Sequence, residues 1–236
     1  MAQTWERLLF AHWPVPRREI APLIPPGLTL DTYDGAAWVA VTPFVLTNLR
    51  ARGLPALPGL SEFPELNVRT YVVTAAGPGV FFFSLDAGSV MAVLGARVWY
   101  HLPYFRARFV VKTESGRTRY ECRRAHPGAP AAELVADYAP IGPVTLSVLG
   151  SLEEWLTERY RLYAVDGRGG VHRAEIAHER WPLQPADAEI RRNTMAAACG
   201  VALPQSRPLL HFARRLDVQV WPPRAVTRPS RAASRR

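Results

Sequence analysis

The sequence predicts an α+β fold in which antiparallel strands dominate, arranged as a curved sheet or barrel with a few short helices at its periphery. Three observations lead to this prediction. The 236 residues include 22 prolines and 7 tryptophans, which favours many short strands and turns over a helical bundle. Several strand-like segments are joined by Gly-containing turns of the hairpin type. Helical segments are few and do not alternate with strands, so a doubly wound parallel sheet is disfavoured.

The first half of the chain is expected to open with helices and to continue with strands. A helix over residues 5–10 ends before two nearby prolines, and a second helix over 17–24 is stopped by Pro25-Pro26-Gly27. Strands rich in Val, Thr and aromatic residues follow, interrupted by one helix that Asp86 caps and Gly95 ends. The expected later elements are strands 37–44, 65–74 and 80–84, helix 86–94, and strands 98–112 and 117–124.

The second half repeats this mixture. Ser151 opens a Ser-Leu-Glu-Glu pattern typical of a capping box, which predicts a helix or helical turn. An Asp-Gly-Arg-Gly-Gly turn joins the two strands of a hairpin. The expected elements are a helix or strand at 133–138, helix 151–157, hairpin strands 160–165 and 171–178, helix 185–199 and a closing strand 209–221.

Length and charge predict one domain with a basic tail. A chain of this length with 48% hydrophobic residues can bury one large core, which we assign to residues 1–223. Residues 224–236 contain five arginines and no acidic residue, so they supply more than half of the net charge of +9. Such a segment cannot bury apolar surface, and we expect it to be disordered. Because the chain carries no nucleic-acid recognition motif, no specific nucleic-acid partner is expected.

Several classes of protein are disfavoured by what the sequence lacks. No apolar run reaches the roughly 18 residues of a membrane span, and the first residues do not resemble a secretory signal. Two cysteines are too few for a disulfide scaffold, and neither metal-binding spacings nor a Gly-rich phosphate loop occur. We therefore expect a cytoplasmic protein without a metal, a cofactor or a membrane partner. A homo-oligomer is compatible with the sequence.

One face of the strand at 65–74 is polar and supplies the first candidate site. Residues two apart share a face of a strand, which groups Glu65, Asn67, Arg69 and Tyr71. A solvent-exposed surface would explain this face, and so would a cavity wall, because an inward polar face of a closed sheet lines its interior. We take Glu65 as a candidate acid or base and the other three as candidate ligand-binding residues.

Two further strands contribute candidates. Tyr104 and Arg106 share one face of the strand that follows Pro103. The arginine is a candidate ligand-binding residue that could clamp a carboxylate, and the tyrosine, which could donate a hydrogen bond, is the second candidate catalytic residue. A mixed surface ladder with Glu121 of the next strand is the alternative for this face. His211 on the closing strand is a possible acid or base because an imidazole titrates near neutrality, although a lone histidine is more often a structural hydrogen-bonding residue.

Seven segments in combination are similar to the YqjF-like family of uncharacterised proteins. The segments are 12–16 (His-Trp-Pro-Val-Pro), 23–28, 65–71 (Glu-Leu-Asn-Val-Arg-Thr-Tyr), 82–87, 96–104, 156–163 and 214–221. They cover nearly the whole chain before the tail. That family is grouped with the acetoacetate-decarboxylase-like fold, so the resemblance implies a conical arrangement of curved antiparallel sheets around an interior cavity. It implies no particular activity.

The same resemblance bears on the chemistry. In acetoacetate decarboxylases, Gly-Arg-Glu is followed by an aromatic residue, proline and two lysines, of which the first attacks the ketone and the second helps to lower its pKa. The matching residues here are Ala96-Arg97, Pro103 and Tyr104-Phe105, so both amines are missing. The resemblance also implies that Glu65 occupies the strand of a pocket carboxylate. We therefore do not expect decarboxylation through a Schiff base.

These observations lead to two alternative functions. The first is binding of a small organic acid or carbonyl compound in an internal cavity, with acid–base rather than Schiff-base chemistry. The second is a non-catalytic ligand-sensing or structural module whose pocket residues form a buried polar network. The sequence leaves open whether the protein is an enzyme.

Overall fold

The computed structural model describes residues 1–56 and 61–226, in which strands form most of the regular structure. The strands are β1 (Ala2–Val15), β2 (Thr29–Leu30), β3 (Ala37–Arg50), β4 (Phe63–Thr74), β5 (Gly77–Ala87), β6 (Tyr104–Glu114), β7 (Arg117–Arg124), β8 (Glu133–Pro140), β9 (Arg161–Val165), β10 (Val171–His178), β11 (Gln184–Asn193), β12 (Leu209–Val220) and β13 (Arg224–Ala225). The α-helices are α1 (Arg17–Ile20), α2 (Val90–Tyr100) and α3 (Leu152–Thr157), and 3₁₀ turns span Ala21–Leu23 and Ala197–Cys199.

The strands form one large curved sheet that closes on itself. Seven strands make a ring in which each is hydrogen-bonded to the next, in the order β1, β3, β4, β5, β9, β10 and β12. A second ring is completed by β6, β7, β8 and β11, which connect β5 back to β12 on the other side. Strand β5 pairs in parallel with β6 and β9, and the other pairings are antiparallel. The predicted fold class, with curved and mainly antiparallel strands and short helices, is confirmed.

Strands shared by the two rings bury both of their faces. In β4, Leu66 and Val68 pack into the second ring, whereas Tyr71 packs into the seven-stranded ring. Burying an aliphatic side chain of this size stabilises the fold by about 1.5–3 kcal/mol. The polar side chains that alternate with Leu66 and Val68 therefore point into the seven-stranded ring and not into solvent.

The predicted helix at residues 5–10 is wrong, because this segment lies inside strand β1. The consecutive residues Leu8, Leu9 and Phe10 are all buried, so buried and exposed positions do not alternate in this segment. A register shift follows Glu6 in the pairing with β3, and Arg7 has a left-handed φ of 53°. A bulge of this kind interrupts the two-residue alternation of apolar and polar side chains that marks a strand. The apolar run therefore resembles a helix in the sequence.

The predicted helix at residues 185–199 is also wrong. Most of it is strand β11, which pairs with β8, and only its end forms the 3₁₀ turn. The partly buried Ala186, Ala188 and Ile190 alternate with exposed acidic and basic residues. This alternation is the strand signal, and the high helix propensity of Ala, Glu and Arg obscured it.

The helix expected at 86–94 is displaced toward the C-terminus. Asp86 belongs to strand β5, and the side chain of Ser89 caps α2 by accepting a hydrogen bond from the backbone N–H of Ala92. Gly95 lies within the helix, which continues through Val98 to Tyr100, so the strand predicted at 98–112 begins at Tyr104. In this position α2 contributes Ala96 and Tyr100 to the wall of a cavity inside the seven-stranded ring.

The remaining elements agree with the predictions. The capping box forms α3, the hairpin forms β9 and β10, residues 133–138 are a strand, and the closing strand is β12. Of the segment assigned to the tail, Arg224 and Ala225 pair with β10, and residues 227–236 lie outside the described residues. Within the described parts of the chain, none of the helices has the length and apolar character needed to cross a membrane.

Candidate functional site

A cavity of about 110 Å³ lies inside the seven-stranded ring. Strands β1, β3, β4 and β5 form half of its wall, and α2 contributes Ala96 and Tyr100. Since a buried water needs about 10–15 Å³ of such volume, the cavity has room for several water-sized groups or one small organic molecule. Its wall is largely apolar, with polar groups concentrated at two places.

The first polar place is formed by Glu65 and Tyr104. The hydroxyl of Tyr104, at the start of β6, donates a hydrogen bond of 3.0 Å to Oε2 of Glu65 on β4. Burial raises the pKa of Glu65 to about 8, although the hydrogen bond from Tyr104 partly opposes this shift. Burial also holds the pKa of Tyr104 well above its ordinary value. At neutral pH both groups are therefore protonated, and the carboxyl group of Glu65 can donate its proton or a hydrogen bond to a ligand.

A buried ion pair lies next to Glu65. Both carboxylate oxygens of Asp86 accept hydrogen bonds from the guanidinium of Arg124, at 2.8 and 2.7 Å. The guanidinium carbon lies 4.0 Å from the ring centroid of Phe105. This pair connects β5 to β7 across β6, the strand that carries Tyr104, and the charge of Asp86 adds to the rise in the pKa of Glu65. The negative charge of Asp86 thus helps to keep Glu65 protonated.

The second polar place is cationic. Arg159 lines the cavity and forms an ion pair of 2.9 Å with Asp31. Arg69 lines it as well and is buried, but forms no ion pair with any of the described carboxylates. Arg69 lies four positions after Glu65 in β4, or about 13 Å between their Cα atoms. The cavity therefore has an acid–base end and a cationic end.

Many polar atoms of the wall have no partner within the described protein. They are Trp5 Nε1, Thr42 Oγ1, Asn67 Oδ1, Arg69 Nε, Arg159 Nη2 and Trp181 Nε1. Buried polar groups in native proteins are nearly always hydrogen-bonded, so a cluster of unpartnered ones needs an explanation. Five of these six atoms carry a hydrogen to donate. The wall is thus rich in donors, which suits an anionic or oxygen-rich ligand.

The structure brings together four of the seven residues that the sequence proposed. Glu65, Asn67, Arg69 and Tyr104 all line the cavity. Tyr71 points into the same ring, but its hydroxyl is hydrogen-bonded to Nε2 of the buried His12 at 2.9 Å, behind the cavity wall. Burial keeps the pKa of His12 well below its ordinary value, so this imidazole is neutral.

The other two candidates lie elsewhere. Arg106 is exposed, and its backbone N–H donates to Nδ1 of His126. His211 is partly buried opposite Phe10 in the pairing of β12 with β1, and it does not line the cavity. Burial lowers the pKa of His211 as well.

Sequence reasoning missed several residues of the cationic end. Thr157 at the end of α3, Arg159 just after that helix and Trp181 just after β10 line the cavity. Asp31 and Arg159 are 128 positions apart, so their pairing cannot be read without the topology. The available signal was the segment 156–163, which contributed to the family resemblance and contains Arg159.

The site offers little to a metal ion or a covalent adduct. No group of three or more His, Cys, Asp or Glu side chains suited to a metal occurs among the described residues. The sequence contains one lysine, Lys112, which is exposed near the turn between β6 and β7. The residue that follows Pro103 at the cavity is Tyr104, and it carries no amine.

Comparison with known proteins shows the family of this chain. A sequence model of DUF2071, described as an uncharacterised conserved protein, matches residues 2–217. Uncharacterised protein YqjF of Bacillus subtilis (strain 168) is 48% identical over 222 residues, which cover 94% of this chain and 90% of that protein.

Two solved structures show the fold at low sequence identity. The enduracididine biosynthesis enzyme MppR complexed with pyruvate has a TM-score of 0.63 at 10% identity, covering 96% of this chain and 90% of that one. Acetoacetate decarboxylase from Legionella pneumophila has a TM-score of 0.61 at 14% identity, covering 96% and 87%. The chain belongs to the DUF2071 family, together with YqjF, and has the fold of the acetoacetate decarboxylases.

Proposed function

We propose that this protein binds a small organic acid in the cavity, with the carboxylate at Arg69 and a carbonyl or hydroxyl oxygen at Glu65 and Tyr104. The observation that carries the proposal is the buried guanidinium of Arg69, which no described carboxylate neutralises. The guanidinium carbon lies 5.2 Å from the ring centroid of Phe10, which offers no negative charge. A buried cation is stabilised most by an anion, and an anionic ligand would provide one. The neighbouring donors of Trp5 and Trp181 support the same class of ligand.

Acid–base chemistry is the reaction type that the other end of the cavity supports. A carboxyl group with a pKa of about 8 is protonated at neutral pH and still loses its proton readily, as a general acid requires. Glu65 would donate its proton to the ligand oxygen, and the hydrogen bond that Tyr104 donates to Glu65 would stabilise the carboxylate left behind. The fold neighbour MppR was solved with pyruvate, a small oxo acid, which agrees with the proposed ligand class.

A non-catalytic ligand-sensing module is the second candidate. One observation favours it: the cavity lining contributed by the described residues contains no lysine, cysteine or serine. A site without a strong nucleophile suits reversible binding. The two candidates share the ligand class and differ in whether a bound oxo acid is turned over.

Calorimetry with matched ligands tests the proposal. Pyruvate and acetoacetate are compared with their uncharged amides, pyruvamide and acetoacetamide. We expect the acids to bind and the amides to bind much more weakly. Arg69→Met should weaken binding of the acids by about 10- to 100-fold, because hydrogen bonds to charged groups contribute about 1.5–3 kcal/mol.

The control is Arg117→Met, which removes a surface arginine paired with Asp187 and should leave binding unchanged. Equal binding of acids and amides, or full binding by Arg69→Met, would contradict the proposal. Incubation of a bound acid followed by proton NMR then separates the candidates. Conversion supports the enzyme, and recovery of the unchanged acid supports the sensor.

A further inference from the structure

One half of helix α2 is an uninterrupted apolar surface that faces away from the protein. Successive residues of an α-helix are turned by about 100°, so half of its circumference is occupied by Val90, Leu94, Val98, Met91, Gly95 and Trp99, in that order. The five side chains larger than glycine are 49–78% exposed. We call these six residues the outer face of α2.

The opposite half of α2 already has its partner. Val93 and Tyr100 are buried, and Ala96 and Tyr100 line the cavity. The only charged residue of the helix is Arg97, whose Nη1 donates to the backbone carbonyl of Tyr104 at 2.8 Å. A helix that is apolar on both sides is typical of a buried helix, so the outer face is expected to be covered by a partner.

We propose that the partner is a second copy of this chain, with the two α2 helices packed antiparallel about a two-fold axis. Gly95 is the central residue of the helix, and a Cβ atom there would meet nothing within 4 Å. A glycine at the crossing point lets two helix backbones approach closely. Met91 and Trp99 lie four residues to either side of it, so a two-fold axis at Gly95 places Trp99 of one copy against Met91 of the other.

Self-pairing fits the chemistry of the outer face. Contacts between the sulfur of methionine and an aromatic ring are favourable, and tryptophan is enriched among the residues that dominate protein interfaces. No charged residue lies in the outer face, so two copies can meet there without burying an unpaired charge. A symmetric pair uses the same surface twice, and two-fold dimers are the commonest oligomers.

The available area matches a weak dimer. An exposed aromatic side chain offers about 150–250 Å², and with the four aliphatic side chains we estimate on the order of 500 Å² per copy. The total of about 1,000 Å² falls in the range of weak and transient protein interfaces. We therefore expect a reversible dimer that forms with increasing concentration. In this dimer, α2 would be packed against the cavity on one side and against the second copy on the other.

Sedimentation equilibrium over a concentration series tests this proposal. The mass of the full chain should rise toward twice that of one copy, and Leu94→Glu should keep it at one copy throughout. The matched control is Leu149→Glu, since Leu149 is 79% exposed but lies in the segment before α3. It should associate as the wild type does. Circular dichroism of each variant shows that the fold is retained.

Cross-linking tests the position of the axis. Under mild oxidation, Gly95→Cys should give a covalent dimer, whereas Leu149→Cys at the same concentration should not. Raising the salt concentration should strengthen association, because the chain carries a net charge of +9 and its copies repel each other.

Three outcomes would overturn the proposal. They are a wild type that stays monomeric, association abolished equally by Leu149→Glu, and a monomer that adsorbs to phosphatidylcholine vesicles through α2.

Discussion

The hydroxyl of Tyr104 donates a hydrogen bond of 3.0 Å to Oε2 of Glu65 inside the cavity. The two residues come from strands β4 and β6, which are separated in the sheet by β5. Burial raises the pKa of Glu65 to about 8, whereas the hydrogen bond from Tyr104 lowers it. The protonation of this carboxyl group therefore depends on both the surrounding apolar wall and one phenol.

Replacing Glu65 by glutamine should change how stability depends on pH. The native state keeps the Glu65 proton up to about pH 8, whereas the unfolded chain releases it near the ordinary glutamate pKa of 4.5. The wild-type free energy of unfolding should therefore fall between these pH values, by up to about 1.4 kcal/mol per pH unit from this group. Glu65→Gln cannot titrate and should lose this decline.

Urea unfolding at a series of pH values from 5 to 8 measures the effect. The difference between Glu65→Gln and wild type should grow in favour of the variant as the pH rises. Glu114→Gln, at the exposed C-terminal end of β6, is the control and should keep the wild-type slope. Parallel curves for Glu65→Gln and wild type would show that Glu65 is ionised in the native state.

Removing the Tyr104 hydroxyl should raise the pKa of Glu65 further. Tyr104→Phe keeps the ring in the cavity wall but deletes the hydrogen bond that favours the carboxylate form. Carbon-13 NMR of labelled glutamate side chains should show a titration midpoint above that of the wild type. An unchanged or lower midpoint would mean that the hydrogen bond does not form.

The buried Asp86–Arg124 pair should contribute much more to stability than a surface pair of the same type. The side chains of Asp86 and Arg124 are 0% and 2% exposed, so Asp86→Asn leaves a buried cation without its partner. We expect a loss of about 3–5 kcal/mol in the free energy of unfolding. Asp187→Asn breaks the exposed pair with Arg117 and should cost at most about 1 kcal/mol. Urea unfolding at one pH compares the two, and equal losses would contradict the prediction.

Two glycines should respond in opposite directions to alanine. A Cβ atom at Gly79 would lie 2.6 Å from the backbone oxygen of Arg161 and 2.7 Å from Tyr163 Cε2, so Gly79→Ala forces β5 away from β9. We expect a loss of about 1–3 kcal/mol, as for an overpacked core. Gly95→Ala meets no atom and should stabilise α2 by about 0.5–1 kcal/mol. Thermal unfolding in dilute solution, where the chain is monomeric, measures both. A Gly79→Ala protein as stable as the wild type would show that the strands separate easily.

The fold class could be predicted from the sequence because many strands have clear periods and turns. Two segments failed for identifiable reasons. In 5–10, the bulge at Arg7 removes the alternation that marks a strand. In β11, residues with high helix propensity occupy alternating positions, and pairing with β8 decides their structure. In β11 sheet pairing overrides local helix propensity, whereas in 5–10 the bulge hides the period of the strand.

The site residues that lie on a single strand could be predicted from the sequence. Those that come from distant segments of the chain could not. The alternation of Glu65, Asn67 and Arg69 is local and is visible in the sequence. Whether it faces solvent or a cavity depends on the closure of the ring, which involves strands from both ends of the chain. Arg159 enters the cavity after α3, and only the three-dimensional arrangement reveals its proximity to Asp31.

The pairing of β1 with β12 has a consequence during synthesis. Thr4 and Asp217 are hydrogen-bonded neighbours, although 213 positions separate them. At about 5–20 residues per second, a ribosome would need about 10–40 seconds between producing the two. During that interval, β1 has an unpaired edge rich in apolar side chains, which is prone to aggregate. Nascent chains that stop before β12 should therefore require a chaperone, whereas chains that include β12 should not.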